Sequence, residues 1–186
     1  MAVQLHRRLL TIKDYHLLIE AGSLGEDDRL ELIEGEIIEM SPISPEHAAR
    51  VNRLNKLFAR ILGEKVLVSV QNPVSLGEHS EPQPDLALLR PRADDYSESH
   101  PKPGDILLVV EVAESSVDYD RDTKIPLYAR AGIPEAWLVS LADRWFEVYQ
   151  EPSPVGYLSM RRVLPGASVA PQAFPDAAVA VSEILE

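Results

Sequence analysis

Two short runs decide how this chain reads: Pro84-Asp85-Leu86-Ala87-Leu88-Leu89 and Leu107-Leu108-Val109-Val110-Glu111-Val112. Runs this apolar fit strands buried on both faces of a sheet. Each carries a carboxylate, Asp85 at the start of one and Glu111 near the end of the other. A carboxylate in line with a buried strand costs free energy unless it is paired, solvated or metal-bound. If the strands are consecutive antiparallel neighbours, Asp85 opposes Glu111. The same register opposes Arg90 to Ile106 and leaves 91–105 as the connection. Opposed residues share a face. Two acids then converge at one sheet end, where a hard divalent cation could hold them together.

The rest of the composition bounds that reading. A chain of 186 residues, 45% hydrophobic and 26% charged, fits one globular domain spanning 1–186. There are no cysteines, so disulfide and thiolate chemistry are excluded. No apolar run approaches the roughly 20 residues that span a bilayer. Met1 to Leu10 is basic but lacks the sustained apolar core of a signal peptide. A cytoplasmic protein with no membrane partner is expected. The net charge of −12 argues against a protein that coats nucleic acid through many Lys and Arg contacts. It does not exclude a nucleic-acid enzyme, because the acidity concentrates in 94–122. Arg50, Arg53, Lys56, Arg60 and Lys65 form a basic counterpart.

Along the chain, Thr11 reads as a helix cap before the helically spaced Ile12, Tyr15, Leu18 and Ile19. Leu30 to Met40 reads as a hairpin turning at Glu34-Gly35. Ser44-Pro45-Glu46 starts a second helix, which carries Val51, Leu54, Leu57, Phe58, Ile61 and Leu62 and closes at Gly63. Strands are expected at about 65–71, 85–90, 106–112, 136–139, 145–149 and, more weakly, 157–163. An acidic loop after 112 should give way to a short helix over Thr123 to Ala131, with Pro126 in its first turn and Gly132 as its cap. A terminal helix is expected over 177–185. Buried strands alternating with helices predict an α/β fold with one central mixed sheet between helices.

Four residues carry the chemistry. Asp85 and Glu111 are the paired acids. Lys124 lies one helical turn from Tyr128, so both face the same way and the amine can lean toward the carboxylates. Glu31 precedes the hairpin turn as an accessory acid. Each has a bland reading: a strand-entry residue, a strand reaching solvent, a surface ion pair and the polar face of a half-buried strand. Taken together, two carboxylates, a third acid and a lysine suit metal-assisted hydrolysis of a phosphodiester. No His–Cys cluster offers a zinc site, and neither a Gly-x-x-x-x-Gly-Lys loop nor a serine-hydrolase elbow is present. Clustering of Asp85, Glu111 and Glu31 should raise at least one carboxyl pKa, and removing Asp85 should relieve the repulsion.

Several motifs run in a recognisable order: Arg29-Leu30-Glu31-Leu32-Ile33-Glu34-Gly35-Glu36, Ser44-Pro45-Glu46-His47, Gln83-Pro84-Asp85, Val109-Val110-Glu111-Val112, Asp120-Arg121-Asp122-Thr123-Lys124, Tyr128 and Gly132-Ile133-Pro134-Glu135-Ala136-Trp137-Leu138-Val139. The series resembles the Uma-type endonucleases of the PD-(D/E)xK superfamily over about residues 28–150. That resemblance implies a restriction-endonuclease-like fold and a nuclease that uses Mg²⁺ or Mn²⁺ to cut DNA. Asp85 and Glu111 would be its metal ligands, Lys124 the catalytic lysine and Glu31 an accessory ligand or acid. Gln83, His47 and Tyr128 would be supporting residues, with helix capping an equal role for His47. The superfamily lysine two residues after the second acid is here Ala113, and Lys124 stands in for it. After the acid this chain reads Ala113-Glu114-Ser115-Ser116 where the family usually has Leu-Ser-Pro-Ser, and Ser140 replaces a usual Asp. Glu114 and the net charge favour the alternative, a nucleic-acid- or protein-binding module that keeps the fold. Action on RNA or single-stranded ends is a third reading. Cutting both strands of a duplex needs two sites, so a homodimer is expected.

Overall fold

The computed structural model describes residues 7–25 and 28–186. Residues 1–6, the larger part of the stretch read for a leader, lie outside them. Thr11 caps α1 (Ile12–Glu20) through a reciprocal capping box with Asp14. The hairpin of β1 (Leu30–Ile33) and β2 (Glu36–Glu39) turns at Glu34-Gly35. Gly35 has φ +81°, and an added Cβ would meet Leu9 at 2.5 Å, so glycine is required there. Ser44 accepts the His47 backbone N–H to start α2 (Pro45–Leu62), and Gly63 ends it.

The core is a six-stranded sheet of β3 (Leu67–Val70), β4 (Leu86–Leu89), β5 (Ile106–Ala113), β6 (Glu135–Ser140), β7 (Trp145–Ser153) and β8 (Gly156–Val163), in that spatial order. All neighbours are antiparallel except the parallel pair β5–β6. This is the expected α/β class, a central mixed sheet flanked by helices. One face packs on α2, where Phe58 meets Trp137 at 5.8 Å between ring centroids and Trp137 meets Phe146 at 6.0 Å. The other face packs on a helix after β5, through Ile125, Leu127, Tyr128 and Ala129.

The expected short helix at 123–131 and the acidic loop before it are corrected. A helical turn at Val117–Tyr119, a π turn at Asp120–Lys124 and an α-helix at Ile125–Arg130 run on without a break, and we call them α3 together. The π turn carries the chain past Pro126, whose ring would clash with the carbonyl of residue 122 in an unbroken α-helix. Gly132, at φ +83°, then closes the helix with the paired bonds Gly132 N–H to Ala129 and Ile133 N–H to Tyr128.

The register of the two deciding strands holds over most of its length: Leu86 opposes Val110, Ala87 opposes Val109 and Leu88 opposes Leu108. The expected pairing of Arg90 with Ile106 is corrected, because Leu89 opposes Ile106 across a bulge. Leu107 is the extra residue. It joins Leu108 on the α2 face and sends Ile106 to the α3 face, so both strand ends stay buried where alternation alone would reverse them. At the C-terminal end, β9 (Ser168–Val169) pairs with β10 (Val179–Ala180), and only Val181–Leu185 is helical, as α4. The helix expected over 177–185 is thus shortened by a strand, in which Val169 and Val179 are buried.

Candidate active site

Carrying the β4–β5 register one step past Leu86–Val110 sets Asp85 opposite Glu111. Strand alternation then sends both toward α3, with Ala87 and Val109. The Val112 N–H donates to Asp85 Oδ2 at 2.9 Å, and His47 Nε2 lies 3.0 Å from the same oxygen. Gln71 Nε2 donates to Asp85 Oδ1 at 3.1 Å. Asp85 is therefore held from β5, from the first turn of α2 and from the end of β3.

On α3, Lys124 and Tyr128 point into the sheet as their spacing predicts. Lys124 Nζ lies 2.8 Å from Glu31 Oε1 and 3.2 Å from Glu111 Oε1. The Tyr128 hydroxyl donates to Glu111 Oε1. All four side chains are buried. Glu31 reaches them from β1, and the Gln83 backbone N–H donates to its carboxylate at 2.7 Å. The Gln83 side-chain amide donates instead to the Leu30 carbonyl, so Gln83 fixes Glu31 through its main chain and tethers the hairpin with its side chain. His47 donates its backbone N–H to the cap bond of α2 and reaches Asp85 with its ring; its Nδ1 is buried without a partner among the described residues.

Glu31, His47, Gln83, Asp85, Glu111 and Lys124 line a cleft of about 330 Å³; Tyr128 is not part of its lining. Residues not expected from the sequence line it too. Asp120, buried and bonded to Ser116 Oγ at 2.6 Å, stands one turn before Lys124. Its four-residue spacing from Lys124 would have revealed it had that segment been read as helix. Gln71 and Arg29 also face the cleft, and neither belongs to a periodic pattern that singles it out. Glu114 lines the rim, where the Ser44 hydroxyl donates to it.

Burial and crowding set the electrostatics. Burial is the largest influence on Glu111 and pushes its carboxyl well above the ordinary range; Lys124 is the next largest and opposes it, while Asp120, Asp85 and Glu31 push the same way as burial. Asp120 is raised to about 6, first by burial and then by the neighbouring acids. Burial alone would lower the Lys124 ammonium, but Glu111, Glu31 and Asp120 together raise it and keep it charged. Asp85 behaves oppositely. Its burial penalty is outweighed by His47, the Val112 N–H and Gln71, and its carboxyl sits below the usual value. The hydrogen bond to Asp85 in turn raises His47.

The donors facing the cleft are carboxylate oxygens, hard ligands of the kind Mg²⁺ and Mn²⁺ take. Lys124 and His47 leave negative charge unbalanced, which adds to the burial that raises Glu111 and Asp120. A divalent cation between Asp85 and Glu111 would offset that repulsion, so the residue set fits one.

The model of the Uma2 family, described as "Putative restriction endonuclease", matches residues 12–182. A solved structure from Anabaena variabilis, titled as a "putative nuclease belonging to DUF820", superposes with a TM-score of 0.76 at 16% identity, covering 95% of this chain and 97% of that one. At that identity the likeness speaks for the fold. No curated protein matches the sequence.

Proposed function

The chain belongs to the Uma2 family of nuclease-like hydrolases, and from that premise we propose that it is an endonuclease hydrolysing DNA phosphodiester bonds with Mg²⁺ or Mn²⁺. The observation that carries the proposal is the convergence of Asp85 and Glu111 at one sheet end beneath the Lys124 ammonium, 3.2 Å from Glu111. Asp85 and Glu111 are the proposed metal ligands. When bound, the cation neutralises charge at the phosphate and supplies a water of lowered pKa.

The remaining groups act through position and charge. Lys124 offers a fixed cation to orient the attacking water or to meet negative charge as it develops on the phosphate. Glu31 holds that amine. Tyr128 fixes the rotamer of Glu111, while His47 and Gln71 fix Asp85. Glu114 is engaged by Ser44 at the rim, which weakens the objection that its charge would bar a phosphate. A cytoplasmic homodimer completes the proposal.

The test is a nuclease assay on duplex DNA, single-stranded DNA and RNA with Mg²⁺ or Mn²⁺, comparing the parent with Asp85→Ala. Cleavage of DNA by the parent is expected, with a loss of about 10²-fold or more in the variant. No turnover by the parent on any substrate would leave a binding module in its place.

A further inference from the structure

Away from the cleft, His16 on α1, Glu81 beside β1 and His100 in the 91–105 loop each turn one ligand atom to a common point, all within 4.8 Å of one another. Glu81 is 4% exposed. A single hydrogen bond to His16 Nε2, at 2.7 Å, gives it a partner. That bond does not require a second imidazole, yet the His16 and His100 rings lie 6.4 Å apart at a steep angle. We propose that His16, Glu81 and His100 form a second metal site, selective for a borderline transition cation, with Zn²⁺ the leading occupant.

The chemistry follows from the donors. Two imidazoles and a carboxylate are a ligand set that Zn²⁺ takes readily, with a fourth position left for water. Mg²⁺ prefers oxygen alone, so this site and the cleft should sort cations differently. Ligand atoms on a tetrahedral Zn²⁺ with bonds of about 2.0 Å stand roughly 3.3 Å apart. The His16–Glu81 separation is already shorter than that, and small rotations of the two more exposed imidazoles close the rest. A shallow cavity lined by Ser75, Tyr96, Ser99 and Lys102 opens on the same point and gives the cation a path from solvent.

Each ligand rides on anchored backbone. The Glu81 N–H donates to the Leu32 carbonyl at 2.7 Å. The Ile12 N–H at the start of α1 donates to Glu78 at 2.8 Å, and the Ser75 N–H donates to Pro101, next to His100, at 2.9 Å. A cation here would fasten α1 and the 91–105 loop to the segment that also carries Gln83. The site is thus a staple, and it stands independently of the nuclease reading.

Calorimetric titration of the metal-free protein with Zn²⁺ tests it, using the parent, His16→Gln, His100→Gln and the cleft variant Asp85→Asn. The expected result is a Zn²⁺ site weakened at least tenfold in each histidine variant and unchanged within about twofold in Asp85→Asn, separate from any Zn²⁺ that the cleft takes up. One equivalent of Zn²⁺ should also shift the ring-proton resonances of His16 and His100 in the parent but not those of His47, a readout that needs no variant to fold. Absence of Zn²⁺ binding, binding indifferent to both histidines, or binding lost in Asp85→Asn would each overturn the site.

Discussion

At the scale of single residues, the cleft separates acids that are content from acids that are not. Asp85 is satisfied by His47, Gln71 and the Val112 N–H. Removing it leaves a buried N–H without a partner, a cost of about 1–3 kcal/mol. Removing Asp85 would relieve part of the repulsion on Glu111 and Asp120, but the lost hydrogen bonds oppose that gain, and Asp120 is the better acid to remove. Its carboxyl is raised from 3.8 to about 6, so the folded chain holds a proton that the unfolded chain has lost across that window. Its contribution to stability is present below about pH 4 and is lost as pH rises through about 6. At pH 7 the deficit is at most about 3 kcal/mol. Asp120→Asn should be more stable than the metal-free parent at pH 7, with the gap closing toward pH 4; urea melts across that range measure the difference curve. Lys124→Ala should move the other way. It strips the countercharge from Glu31 and Glu111 at a cost of about 3–5 kcal/mol. That cost should shrink in acid, where the carboxyls protonate. Because the amine is not a proposed cation ligand, the variant should keep the rise in melting temperature on adding Mn²⁺ while losing turnover. A variant that kept turnover would return Lys124 to the role of a structural ion pair.

At the scale of elements, what could be read in the sequence followed from periodicity and caps. Thr11, Ser44 and Gly132 announced their helix ends, and the unbroken apolar runs of β4 and β5, read as antiparallel neighbours, gave the pairing of Asp85 with Glu111. What escaped was local irregularity. The bulge at Leu107 and the π turn at Asp120–Lys124 each insert a residue that no regular period encodes. Glu135 misleads in the opposite direction. It sits in a family-like motif, yet it is wholly buried and accepts bonds from the Trp137 indole, Gln150 and the Gln172 N–H, a structural duty at the far end of β6. The π turn puts both Asp120 and Lys124 in the cleft while Arg121, between them, reaches Glu147 on β7 at 3.1 Å. Deleting the exposed Asp122 together with Pro126→Ala, which removes the ring that bars a regular helix, should reset α3 to a regular helix and rotate one of the two inward groups away by about 100°. The expected outcome is a folded protein, checked by circular dichroism, whose turnover falls to the level of Lys124→Ala. Full activity in the deletion would mean that the π turn only accommodates Pro126.

At the scale of the whole molecule, the −12 charge constrains how DNA could be met. Part of the basic set on α2 is spent internally: Arg60 pairs with Glu183, Arg53 donates to the Glu183 carbonyl, and Arg50 pairs with Glu46. One copy of the chain therefore offers a weak electrostatic footprint, and two copies acting together would double it as well as supply a second cleft. No apolar surface stripe for such pairing can be assigned from the sequence, where β8 reads only as a weaker strand. In the fold β8 is the outer strand of the sheet, and Leu158 and Met160 stand on it 69% and 54% exposed, with Leu164 just beyond. An outer strand with unpaired backbone groups and apolar side chains is a liability unless something covers it. A second copy would cover it symmetrically, since a strand can pair antiparallel with its own twofold mate. Sedimentation should accordingly find the parent as a dimer at micromolar concentration and a Leu158→Lys/Met160→Lys double variant as a monomer with an unchanged fold. Charge placed there would not disturb the cleft directly, so the monomer should still nick one strand while losing double-strand cleavage. A parent that sediments as a monomer over a wide concentration range would remove the dimer, and with it the expectation of paired cuts.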